Sequence, residues 1–437
     1  MPSAIIVGLG PLIRPDLAVF SATFCCALLF CAWHAPYGRR FLRVFVLAAA
    51  VWAVPCGYQI FRMGYFAAFL PNTLIAKEAG GSRWVQGSLY AFDFLQPYLL
   101  PLPLLLLIPV GGMLLRQLLD RRDNEGIAVV VAFLSGAVLH GMAVLRVGGD
   151  FMHGRLLLPA LFALLLPVAA VAIPAPLFVA RRPSKIALLA TAIVIWAVCC
   201  AFFARVPYAG GVSSFGIADE RSFYVRATGY RQPVLAEDYR TATIAQHGAA
   251  LRAWTGDRAV LVQNTEQCLA FGDEPQSPGC QTVLASLPGP LPTAAWVSPE
   301  IQVVSLQHQI GVISYVAGPR AFIVDRLGLA EPIASRLQLT MRGRPGHEKW
   351  LSNAWYLARF SAPTANDDAS IIAARTALGC GDLALLNAAV TKPLTQARFL
   401  SNLRLAWRLT RVQIPADPVL AQAQFCGIPA TGEVPIP

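Results

Sequence analysis

Six apolar runs lie before residue 204, at about 17–33, 41–57, 95–115, 126–145, 156–180 and 186–204. Runs of this length can carry helices across the roughly 30 Å hydrocarbon core of a bilayer. Pro97, Pro101, Pro103 and Pro109 make the third run irregular or kinked. The first dozen residues, Met1–Leu12, are apolar but too short to span, and no basic segment precedes them as in a signal peptide. They read as the tail of a helix. Beyond residue 204 the apolar runs shorten and polar residues spread evenly. The expected fold class is therefore an α-helical multi-pass membrane domain followed by an α/β extracytoplasmic domain. Its parts are a membrane region over 1–204 with about six spans, a polar and aromatic linker over 205–256, and an α/β domain over 257–437.

Charge orients this plan. Residues 1–204 hold 15 Lys and Arg against 7 Asp and Glu, whereas residues 205–437 hold 20 against 17, so +8 of the net +11 belongs to the apolar half. Such an excess suits anionic membrane lipid and a lipid substrate carrying phosphate. Arg39, Arg40 and Arg43, then Arg116, Arg121 and Arg122, then Arg181, Arg182 and Lys185 fall in alternate loops. The positive-inside rule puts these in the cytoplasm and faces the 58–94 loop, the 146–155 loop and everything after 205 outward. No zinc-ligand spacing, arginine-rich tail or helix-turn-helix pattern points to nucleic acid. Six cysteines lie in the apolar runs as small hydrophobic side chains. Cys268, Cys280, Cys380 and Cys426 lie in the C-terminal half, an even number that fits two disulfides in an oxidising compartment, with Cys268–Cys280 preferred for its short loop.

The most informative stretch is Val147–Arg155, Val-Gly-Gly-Asp-Phe-Met-His-Gly-Arg, a short connection between two apolar runs. It crowds Asp150, His153 and Arg155 beside Arg146 at a membrane face, where charge is costly and usually has a task. Two adjacent glycines permit a tight turn or a close backbone approach. The 58–94 loop mixes aromatics with Arg62, Asn72, Lys77 and Arg83, and Pro71-Asn72-Thr73 marks a helix start whose amides suit a phosphate. Arg14-Pro15-Asp16 precedes the first run. In the C-terminal half, strands are expected at 259–263, 294–297 and 321–324, with a helix at 307–317. The polar cluster Arg344–Trp350 is either a substrate-facing loop or a solvated turn, and helices follow residue 363.

Taken in order, the Arg14-Pro15-Asp16 triplet, the Tyr65–Lys77 stretch, Gly148–Arg155, Val324–Pro332 and Arg344–Lys349 resemble the terminal β-(1→2)-arabinofuranosyltransferases of mycobacterial and corynebacterial cell walls, within the GT-C class. The resemblance implies a decaprenyl-phospho-arabinofuranose donor, a glycan acceptor and transfer outside the plasma membrane. A carboxylate must take the acceptor proton, for which Asp150 and then Asp16 are the candidates. Arg14, Arg62, Asn72, Lys77, His153 and Arg155 are expected to bind the donor, with guanidinium groups gripping phosphate. His347 and Glu348 are expected to face the acceptor. GT-C enzymes carry a catalytic acid in their first outward loop, and this chain is expected to begin several helices later, without that loop. No cofactor is expected. Asp150 and His153, three apart, offer weak support for a divalent cation, since no second acidic cluster accompanies them. The alternatives are another polyprenyl-phosphate-sugar transferase and a non-catalytic envelope scaffold.

Overall fold

The computed structural model describes residues 1–34, 38–78, 80–169, 185–253, 260–262 and 300–427. The chain folds into two compact units, one built from Met1–Gln59 with Gly81–Glu220, the other from Ile60–Gly80 with Arg221–Pro437. This division does not coincide with the boundaries at 204 and 256 read from composition. Residues 205–220 belong to the apolar unit, and an excursion over 60–80 belongs to the C-terminal one.

In the first unit a short 3-10 turn at Pro15–Leu17 leads into α1 (Ala18–His34). There follow α2 (Arg40–Phe66, as far as Gln59), α3 (Trp84–Leu95), α4 (Pro101–Asp120), α5 (Asn124–Val147), α6 (Leu158–Ala169) and α7 (Lys185–Phe202). Among the described residues, four helical stretches are long and apolar enough to cross a membrane: Pro15–His34, Arg40–Phe66, Pro101–Asp120 and Asn124–Val147. Of the six expected runs, that at 156–180 is helical only as far as Ala169 among the described residues. The run at 186–204 forms a shorter apolar helix. Two boundaries differ from the sequence reading for identifiable reasons. α2 continues nine residues past Gly57 because Tyr58–Phe66 holds no proline and its aromatics carry the pattern onward. α4 starts at Pro101 rather than residue 95, since a proline is tolerated in a helix's first turn but not deeper without loss of a hydrogen bond. α5 is capped at both ends. Asp123 accepts the Gly126 N–H at 2.8 Å, and Gly148 closes the helix in the left-handed region at φ 92°. α1 and α5 lie side by side, with Phe24 edge-on to Phe133 at 4.7 Å.

The second unit contains α8 (Glu220–Thr228, from its second residue onward), α9 (Thr243–Arg252), β1 (Val260–Val262), β2 (Val303–Gln307), α10 (Gly311–Ala317) and β3 (Ala321–Asp325). The strands form one parallel sheet in the order β1-β2-β3, with Val304 opposite Phe322. Every residue of β2 is buried, as expected for a central parallel strand covered on both faces. The expected helix over 307–317 therefore begins too early. Gln307 goes to the sheet as the last residue of β2, opposite Asp325, and the helix starts at Gly311. The expected strand at 294–297 lies outside the described residues. A helical cap follows: α11 (Asn353–Phe360), α12 (Ala369–Ala377), α13 (Gly381–Thr391), α14 (Gln396–Thr410) and α15 (Pro418–Cys426). Its core includes Trp355, Tyr356, Phe360, Leu383, Leu386 and Leu409, all 1% exposed or less. Trp355 and Tyr356 also satisfy their polar tips, on the carbonyls of Ala416 and Val304. Cys380 is disulfide-bonded to Cys426, stapling α12–α13 to α15. Cys268 and Cys280 lie outside the described residues.

The 60–80 excursion is stitched into this unit. The Asn402 side chain donates to the Gly64 carbonyl at 2.9 Å, and the Phe69 N–H donates to Thr410 Oγ1 at 2.7 Å.

Candidate functional site in the α5–α6 hairpin

The hairpin between α5 and α6 is held from two sides, by α3 and by the segment around Ala218. The Tyr90 hydroxyl of α3 donates to the Met152 carbonyl at 2.9 Å and accepts the Leu156 N–H at 3.1 Å. The Ala218 N–H donates to the Phe151 carbonyl at 2.6 Å, and the His153 N–H returns to the Ala218 carbonyl at 3.1 Å. Two glycines make the close packing feasible. Gly149 sits at φ 72° and Gly154 at φ 63°, and a Cβ on either would come within 2.3 Å of Tyr90 or 2.6 Å of Phe94.

This frame fixes two charged pairs. Asp150 is completely buried and its carboxylate is ion-paired with Arg155, whose side chain is 43% exposed and lies over the Phe151 ring. A buried carboxylate thus anchors a cation that reaches solvent. In the other pair, His153 Nδ1 lies 2.7 Å from Asp93 Oδ2, and the Tyr208 hydroxyl donates to both Asp93 oxygens at 2.7 and 2.8 Å. With Asp93 accepting at Nδ1, the imidazole proton is assigned there and the lone pair falls on Nε2. That nitrogen is buried beside the rings of Phe94 and Tyr98, and among the described residues no group hydrogen-bonds to it. A buried polar atom left unpaired needs an explanation. Burial, and next the adjacent Asp93 carboxylate, hold the Tyr208 hydroxyl far above the usual phenol range, so it remains a proton donor.

Asp16 occupies a separate cluster of the same unit. It accepts two hydrogen bonds from the Arg14 guanidinium, at 3.1 and 2.7 Å, and lies 2.8 Å from Nε2 of the fully buried His140 on α5. His140 precedes the end of α5 by about 10 Å along the helix axis.

The other expected site residues belong to the second unit. Asn72 opens a five-residue helical turn, but its side chain is engaged by the fold. Its amide donates to the carbonyls of Gly328 and Glu331 at 3.0 and 3.1 Å, and its oxygen accepts from the Ser335 hydroxyl at 2.9 Å and from Arg336 at 3.3 Å. Burial lowers the Arg336 guanidinium to about 10. Glu348 is buried, accepts the Gly343 N–H at 3.0 Å and lies 4.0 Å from Arg342. Lys349, also buried, bonds to Glu78 at 2.7 Å and to the Leu337 carbonyl. The Arg344–Trp350 cluster is therefore not a solvated turn: much of its charge is folded inward. His347, Arg62 and Lys77 are partly buried. Among the described residues no group of three or more His, Cys, Asp or Glu side chains is placed to hold a metal ion.

Residues 298–422 match the AftB family C-terminal domain. The chain is 30% identical over 455 residues to a terminal β-(1→2)-arabinofuranosyltransferase of Mycobacterium tuberculosis, covering 95% of this chain and 69% of that relative. The chain belongs to the terminal β-(1→2)-arabinofuranosyltransferase family. A second family member, from Corynebacterium glutamicum, is 30% identical over 453 residues, covering 97% of this chain and 62% of its own length. No solved structure matches.

The family is one of glycosyltransferases, and several helices of this chain are apolar enough to span a membrane. Against that background, the hairpin brings Asp150, His153 and Arg155 together as the sequence indicated. It adds three partners that sequence reading missed, Tyr90, Asp93 and Tyr208. Asp93 left one signal, a lone carboxylate inside the run Tyr-Ala-Phe-Asp-Phe-Leu, where an acid has no solvent to face. Tyr208 left none, because its role depends on the chain returning after α7. His140, likewise missed, was a single polar residue within a span.

Proposed function

We propose that the chain is a membrane arabinofuranosyltransferase with a GT-C-type membrane domain. It moves arabinofuranose from decaprenyl-phospho-arabinofuranose to a hydroxyl of a cell-wall arabinan outside the plasma membrane. The observation that carries this reading is the Asp93–His153 pair with its unpaired Nε2, set beside the exposed Arg155 in a hairpin between apolar helices. In the reaction the acceptor O–H proton passes to His153 Nε2 while the acceptor oxygen bonds to the anomeric carbon. The bond from that carbon to the phosphate oxygen breaks, and polyprenyl phosphate leaves with the electron pair, its charge met by Arg155. Asp93 orients the imidazole and balances the imidazolium. Asp150 holds Arg155 rather than serving as the base, because its carboxylate is already committed to that ion pair. The Cys380–Cys426 disulfide supports an outer, oxidising location for the second unit.

The test is transfer of labelled arabinose from decaprenyl-phospho-arabinose to a short arabinan acceptor, in membranes bearing the chain or its His153→Gln variant. Product with the parent chain and near-background product with the variant is expected. Absence of product with a folded parent chain would overturn the reading, and transfer from a different polyprenyl-phosphate sugar alone would overturn the choice of arabinose.

A further inference from the structure

The second unit holds a cavity of about 500 Å3 that the transfer chemistry does not use. It is lined by β3 and the turn after it, the end of α2, the end of α11 and the connection from α13 to α14. The volume is in the range of small-ligand sites. Two features of the lining specify a ligand class.

The first is aromatic. Tyr65 and Phe66 line the cavity at 42% and 49% exposure, their rings edge-to-face at 4.6 Å. Two adjacent aromatic rings left this open offer apolar faces at an angle to one another, a shape suited to the C–H face of a non-planar ring. The second is charge of both signs. Asp325 and Glu331 lie in the wall with Arg359, Lys392 and Arg398. Asp325 is held by the N–H groups of Leu327 and Ala330 at 2.9 and 2.8 Å, and Glu331 is ion-paired with Arg359. A phosphate or carboxylate ligand would meet two fixed carboxylates, and a cationic ligand would meet three cations. An uncharged polyol meets neither penalty, since each hydroxyl can both donate to a carboxylate and accept from Lys or Arg.

We propose that this cavity binds a short, uncharged oligosaccharide, its ring faces on Tyr65 and Phe66 and its hydroxyls among Glu331, Arg359 and Lys392. The narrower identification as an arabinofuranose oligomer rests on the function proposed above. The site would hold glycan in the second unit independently of the hairpin chemistry. His347 and Glu348, the acceptor residues expected from sequence, do not line it.

The full chain in detergent would be titrated with an arabinofuranose tetrasaccharide, a mannose tetrasaccharide and inorganic phosphate, with binding read by calorimetry and ligand-observed NMR. Tyr65→Ala removes one aromatic face. Leu394→Trp, at a residue 46% exposed in the lining, fills the cavity without touching the buried core. At least tenfold weaker arabinoside binding is expected in both variants at an unchanged thermal midpoint, with His153→Gln binding as the parent does. Arabinoside binding unaffected by either folded variant would overturn the proposal, as would saturable phosphate binding that competes with the sugar. Loss of transfer with retained, Tyr65-dependent binding would support the site while overturning the function proposed for the hairpin. Tyr65-dependent binding of the mannoside alone would support the site and overturn the pentose identification.

Discussion

The α5–α6 hairpin and the Arg344–Lys349 loop are built from nearly the same side chains, each combining an acid, a histidine and arginine or lysine in a short glycine-containing turn. Their treatment differs. In the loop, Lys349 and Glu348 are buried and satisfied by Glu78, the Leu337 carbonyl and the Gly343 amide. In the hairpin, buried Asp150 supports an Arg155 that reaches solvent, and Asp93 and Tyr208 are arranged around a histidine whose second nitrogen has no hydrogen bond among the described residues. Charge that the fold consumes contributes to stability. Charge that the fold orients and leaves open is available for chemistry.

Five variants would break or sharpen this contrast. His153→Gln should lower the transfer rate by about 10²–10⁴-fold, the usual worth of a positioned acid–base group, while the unfolding midpoint stays near that of the parent. An equal loss of activity and folded protein would erase the distinction. Arg155→Ala should cost about 10²–10³-fold in kcat, as loss of a charge-stabilising donor does. Asp150→Asn should cost less and add little in the double variant, because both changes act through one cation. Full additivity would give Asp150 a role of its own.

On the other side of the comparison, Asn72→Ala should destabilise the protein by about 1–3 kcal/mol, since it strands the polar groups around Gly328 and Arg336. Transfer per folded molecule should change little, and chemical denaturation beside an activity assay separates the two. The smallest effect concerns Glu78. Burial alone would raise its carboxyl, but the Lys349 hydrogen bond and the charges of Lys349 and Arg342 outweigh this and hold it below its ordinary value of 4.5. Its contribution is therefore fully present above pH 4.5 and is lost as pH falls through the lower folded value. Glu78→Gln should flatten the acid limb of a stability–pH curve and leave the curve near neutrality shallowly displaced.

The sequence made some of this legible and concealed the rest for physical reasons. Apolar runs announced the helices of the first unit apart from α3, which lies in the stretch read as the 58–94 loop, because length and hydropathy are local properties. The α5–α6 hairpin stood out because its charges sit between two such runs. Asp150 and Arg155 were recognisable as participants, but their division of labour was not, since burial decides it and burial is tertiary. Tyr208 reaches Asp93 across 115 positions, so no spacing rule could join them. Asn72 looked like a phosphate-binding helix start, yet its partners lie more than 250 residues away. β2 was hidden because a short run buried on both faces lacks the alternation that marks a half-exposed strand.

The 60–80 excursion also sets a schedule. The Gly64 carbonyl is satisfied by Asn402, 338 residues later in the chain. At synthesis rates of about 5–20 residues per second, that partner emerges roughly 17–70 s after Gly64 does. Through that interval the segment carrying Tyr65, Phe66 and Asn72 exists without the surface that receives it. A pause, a truncation or a slow step in making the last helices would thus be felt near residue 64, in a part of the molecule completed long before.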